Sequence, residues 1–257
     1  MKTLRFESFC SSLFFLQKIS LNKSMQGKSL TPERPWIECN PTWGLTATGQ
    51  NLELLQNIHR KDERPYLFVG GVHGDEPEGV RLAEEFRLWL KNHSTLEDHP
   101  WILIPCLNGD GYAWCQRTNA NGVDLNRNFP SRDWAPSSEK NRYFPGPRAN
   151  SEPEVQKLVE LIQTKNPKVI FHFHSWKPCI VYTGAPGRPF AEILTRGNPY
   201  EAREDIGYPT PGSLGQYGWL EHRIPVVCVE EQEHGDLDQV WPHFREGLQA
   251  LIRNEGP

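Results

Sequence analysis

A handful of histidines, carboxylates and arginines in this sequence can do chemistry, and their spacing narrows which chemistry it is. In Val72-His73-Gly74-Asp75-Glu76 an imidazole and a carboxylate stand three residues apart. Neutral imidazole and carboxylate both suit Zn²⁺, and a catalytic zinc site takes three protein ligands and keeps one position for water. The third donor must come from elsewhere. Phe171-His172-Phe173-His174-Ser175 offers two more imidazoles. Side chains alternate along a strand, so these two share a face. His174, nearer the strand's end, is the better ligand; His172 can be a buried hydrogen-bonded neighbour, and either can equally be a core histidine. A further run, Gln116 to Pro130, is too polar to be core. Its Arg117, Asn126 and Arg127 form a cationic lining rich in donors, and arginine grips carboxylates through paired hydrogen bonds. By itself the run also reads as a solvated loop held by Asn and Asp turns.

These groups need elements to hold them. Arg64 to Gly74 reads as a buried strand ending in a glycine-rich turn. Pro77 to Asn92 follows as a helix, with proline and acids at its start. Trp101 to Asn108, Lys168 to Ser175, Cys179 to Gly184 and Ile224 to Glu231 are further strands. The polar stretch from Gly109 to Asn150 is long for a loop, and such segments are usually functional or disordered. Ser151 is the expected N-cap of a helix running to about Lys165, and Asp236 to Arg253 closes the chain as an amphipathic helix. Strands alternating with helices predict a three-layer α/β/α sandwich around a mixed, mostly parallel sheet. In such sheets chemistry sits at the strand ends, where His73, His174 and Glu230 fall.

With 257 residues the chain can bury a substantial single core. Residues 1–30 are expected to be a disordered extension and residues 31–257 one domain. A net charge of −4 argues against a dedicated nucleic-acid binder. Six cysteines without CxxC spacing read as reduced thiols, which favours a cytoplasmic setting. The apolar stretch Phe9 to Leu16 leaves export open, but it is far too short to span a bilayer.

Taken in order, GGVHGDEPEG, DLNRNFP, PGPRANSEPE, HFHSW and VVCVEE resemble the M14 zinc metallocarboxypeptidases, over about Tyr66 to Glu231. Gly207 to Gly215 (GYPTPGSLG) and the short chain are similar to the murein tripeptide amidase branch. The resemblance implies one zinc ion on His73, Glu76 and His174, and a small peptide substrate with a free carboxylate. It implies Arg117 at the developing oxyanion, Asn126 and Arg127 on the substrate carboxylate, and Tyr208 over the substrate. Glu230 matches the general base, with Glu231 the competitor. Leu214 falls near where some relatives carry an acidic selector for basic side chains. In the murein branch the scissile bond is γ-D-glutamyl-meso-diaminopimelate. The succinylglutamate desuccinylase/aspartoacylase group shares HxxE and a DLNR-like run but cleaves N-acyl amino acids. A non-catalytic peptide-binding module is the third reading.

Overall fold

The computed structural model describes residues 34–57 and 62–255. The expected extension at residues 1–30 lies outside them. In chain order the sheet strands are β1 (Ile37–Leu45), β2 (Asn51–Asn57), β3 (Tyr66–Val69) and β4 (Trp101–Ile104). They continue with β5 (Val169–Trp176), β6 (Cys179–Thr183), β7 (Ala202–Arg203) and β8 (Val226–Gln232). The helices of six or more residues are α1 (Pro77–His93), α2 (Gly109–Trp114), α3 (Pro153–Lys165), α4 (Arg188–Leu194) and α5 (Leu237–Ile252).

All eight strands form one mixed sheet in the order β1-β2-β4-β3-β5-β8-β6-β7. The centre, β4-β3-β5-β8, is parallel, and β3 and β4 are buried along their whole length, as strands covered on both faces must be. Two apolar clusters lie on the two faces. One joins α1, α4 and α5 through residues such as Phe86, Phe171, Phe173 and Phe244; the other takes Leu158 and Ile162 of α3 with Ile170 and Val226. Phe68 stacks on Phe171 at 4.8 Å and meets the edge of Phe86 at 4.9 Å. Truncating such a ring costs about 3–5 kcal/mol.

The parallel strands and the long helices fall where the apolar pattern puts them; the short α2, α4 and β7 go unpredicted, and other features differ too. The β1–β2 hairpin goes unpredicted because β1 is partly exposed along its length and carries no continuous apolar run. The helix α3 is capped at Glu152 rather than Ser151, whose hydroxyl instead donates to Glu152 Oε1 at 2.6 Å. Cys39, Cys106, Cys179 and Cys228 are free, but Cys115 is disulfide-bonded, which corrects the expectation of reduced thiols throughout. Among the described residues no helix is long and apolar enough to cross a membrane.

Candidate metal centre and the cleft around it

The centre is built at the C-terminal ends of β3, β5 and β8. After β3 the chain turns through Gly71, at φ +59°, and delivers His73 beside the end of β5. Gly74 then packs so closely on the start of α2 that a Cβ there would lie 2.0 Å from the carbonyl carbon of Gly111. Pro77 opens α1, so Glu76 sits at the N-cap position with its carboxylate turned away from the helix rather than capping it. On β5, Phe171 and Phe173 enter the core, so His172 and His174 point to the opposite face.

Three side chains distant in sequence thereby converge. His73 Nδ1 lies 2.7 Å from Glu76 Oε1 and 3.0 Å from His174 Nδ1, and His174 Nδ1 lies 2.7 Å from Glu76 Oε2. Ligand atoms each about 2.0–2.2 Å from a common zinc are themselves roughly 3 Å apart, so this N, N, O set fits the ion. His172, His174 and Cys228 form a second group of possible donors, but it shares His174 through that residue's other ring nitrogen. Burial alone would raise the pKa of Glu76; His73 and His174 outweigh it and hold the carboxyl well below its usual range. Burial likewise works against protonating His73, yet the Glu76 and Asp124 carboxylates raise it. The cluster thus has a place for positive charge.

Around it lies a cavity of about 760 Å³. Arg117 reaches its edge, with Nη1 donating to Glu76 Oε1 at 3.2 Å and Nε to Asp124 Oδ2 at 2.8 Å. Asn126 and Arg127 lie in a single 3₁₀ turn, Leu125–Arg127, and face the same space. Asn126 Oδ1 is held by the Leu214 N–H at 2.9 Å, and Arg127 Nη1 donates to the Asn126 carbonyl at 2.7 Å. Arg127 is buried and pairs with no carboxylate among the described residues, so its remaining donors are available to an anion. Tyr208 is exposed at the rim, with its ring edge-on to Trp176 at 5.6 Å.

The two glutamates at the end of β8 separate cleanly. Glu230 faces the cavity and accepts from the Cys228 thiol at 3.2 Å. Burial first, and then the Glu76 charge, pushes its pKa above the usual carboxylate range. Glu231 points to the other face, where the Tyr200 hydroxyl donates to it and His243 Nδ1 meets it at 2.8 Å. Leu214 is fully buried, so the wall near it is made by Ser213, Gly215 and Gln216 instead.

One residue the motif reading passed over is Asp124, which has no exposed surface. It caps the Leu125–Arg127 turn through the Asn126 N–H at 2.9 Å, and it also binds Arg117 and, at 3.2 Å, His73 Nε2. Only its place at the head of a polar turn hinted at this. Tyr143 was also missed; its exposed ring lies within 6.0 Å of the guanidiniums of Arg117, Arg127 and Arg142.

The zinc carboxypeptidase family model (peptidase M14) matches residues 37–189, more than half of the chain. The chain belongs to the zinc carboxypeptidases. Among relatives, it is 32% identical to murein peptide amidase A of Escherichia coli K12 over 162 residues, which is 59% of this chain and 64% of that one. It thus spans under two thirds of that relative's length. Among solved structures, this zinc carboxypeptidase superposes on murein-tripeptide amidase MpaA of Escherichia coli O157 with a TM-score of 0.69 and 24% identity, covering 89% of this chain and 96% of that one. Bovine thrombin-activatable fibrinolysis inhibitor gives 0.72 at 17% identity, covering 95% and 94%. Both structures share the fold.

Proposed function

We propose that this zinc carboxypeptidase hydrolyses an amide bond next to a C-terminal free carboxylate, and that its substrate is the γ-D-glutamyl-meso-diaminopimelate bond of murein peptides. One observation carries the reading. The convergent His73, Glu76 and His174 donors, the buried Glu230 and Arg127, which forms no ion pair among the described residues, all line a single cavity. The similarity to murein peptide amidase A supports the choice of substrate.

His73, Glu76 and His174 would hold one zinc ion. When bound, zinc supplies Lewis acidity, polarising a carbonyl and lowering the pKa of water toward neutrality. Arg127 and Asn126 hold the terminal carboxylate, so the position of the bond rather than its side chains selects it. Glu230 takes a proton from the attacking water and returns it to the leaving nitrogen. Arg117 donates to the oxygen that gains negative charge, and Asp124 keeps that guanidinium aimed. Tyr208 closes over the bound peptide from the rim.

The test is mass spectrometry of products from a panel of murein peptides and N-acyl amino acids, with and without a chelator. Release of free meso-diaminopimelate, abolished by the chelator and restored by zinc, is expected. Cleavage of the N-acyl amino acids alone would transfer the chain to the deacylase reading.

A further inference from the structure

The cavity does not stop at the catalytic level. Along the sheet, His174 pairs with Glu230, and one rung lower His172 pairs with Cys228 while Val181 pairs with Cys228 from the other side. His172, Cys228 and Val181 all line the cavity, so it extends to this lower rung, roughly 6.6 Å deeper at 3.3 Å per residue. Thr183, Gly215 and Gln216 also line it, as do the acidic Glu204 and Asp205, which follow Arg203, the β7 partner of Val181.

His172 is the buried polar side chain at the base, only 4% exposed. Its Nδ1 lies 2.8 Å from His174 Nε2. His174 turns Nδ1 toward Glu76 and His73, so a neutral His174 ligating through Nδ1 carries its proton on Nε2 and donates it to His172. A neutral His172 that accepts through Nδ1 has its own proton on Nε2. That nitrogen has no hydrogen-bond partner among the described residues, and the side chain lines the cavity.

We propose that His172 is both the positioning residue for the ligand His174 and the specificity residue of the lower pocket, where its Nε2–H receives a carboxylate at the tip of the released residue's side chain. This rests on the function proposed above. A side chain reaching from rung to rung needs about five bonds at roughly 1.25 Å of advance each, which is the length from the α-carbon of diaminopimelate to its distal carboxylate. A lysine side chain, which lacks that carboxylate, brings an ammonium to a floor with a fixed donor and leaves the Nε2–H unpaired.

The experiment compares γ-D-glutamyl amides of meso-diaminopimelate, 2-aminopimelate and lysine on the wild type, His172→Asn and His172→Ala. It also measures zinc affinity by chelator competition and the binding of free diaminopimelate and lysine by calorimetry. In the wild type both carboxylate-tipped residues exceed lysine by about 10- to 100-fold in kcat/KM. The Asn side chain can accept from His174 but cannot reach the pocket floor. His172→Asn therefore keeps zinc affinity within about threefold yet loses the preference, whereas His172→Ala loses the preference and binds zinc about 10- to 100-fold more weakly. Unchanged zinc affinity in His172→Ala, or an unchanged preference in either variant, overturns the assignment. Should no γ-glutamyl amide be cleaved, the proposed function fails by itself, and the calorimetric preference still decides the role of His172.

Discussion

Asp124→Asn probes whether the polar layer behind the ligands shapes the centre. The replacement is nearly isosteric, and an amide oxygen can still accept the Asn126 N–H, so the turn keeps its cap. What disappears is the charge that faces His73 at 3.2 Å and Arg117 at 2.8 Å from a residue with no exposed surface. Losing the carboxylate behind a ligating histidine typically weakens metal binding about 10- to 100-fold. Removing one partner of a buried ion pair costs about 3–5 kcal/mol. Arg117 retains Glu76 at 3.2 Å, so a smaller cost, at or just below the lower end of that range and roughly 2–3 kcal/mol, is expected. At about 2–4 °C per kcal/mol for a chain of this size, the melting temperature of the zinc-free protein falls by roughly 4–12 °C. Chelator competition gives the zinc affinity, and calorimetry of zinc-free protein gives the second quantity. A zinc affinity within about threefold of wild type, with a melting temperature unchanged within about 1 °C, would refute the argument that Asp124 organises His73 and Arg117.

Three further outcomes are expected. Glu230→Gln keeps zinc bound but lowers kcat by about 10²- to 10⁴-fold, whereas Glu231→Gln, which loses contacts to Tyr200 and His243 on the far face, lowers thermal stability and leaves most of kcat; steady-state kinetics beside thermal melts separate them. Arg127→Ala raises KM for free-carboxylate substrates by about 10- to 100-fold while barely moving it for amidated ones, and equal effects on both would remove Arg127 as the carboxylate anchor. His99, stacked on Tyr66 at 3.7 Å, has its pKa lowered, first by burial and then by Lys168. Its folded pKa lies below the unfolded value, so its contribution is complete above about pH 6.5 and is lost as pH falls through the folded pKa. Melting temperatures of His99→Gln should therefore drop less than those of wild type between about pH 7 and pH 5.

The local parts of the site are legible in short runs of residues. The strand, glycine turn and proline-started helix that place His73 and Glu76 lie within about a dozen consecutive residues, and alternation on β5 puts His172 and His174 on one face. What lies across the chain was decided only by folding. The tie of Asp124 to His73 joins residues 51 apart, and no pattern within either segment foretells it. The glutamate doublet is two residues of one strand, and only the pairing of β8 with β5 and β6 shows that Glu230 shares the face of His174 while Glu231 meets α5. The ends of β8 and α5 approach because their apolar faces must be buried together, and that side-by-side placement depends on the sheet as a whole. The depth of the cavity below the ligands follows from the same register, since His172 becomes a pocket floor only once Cys228 stands beside it.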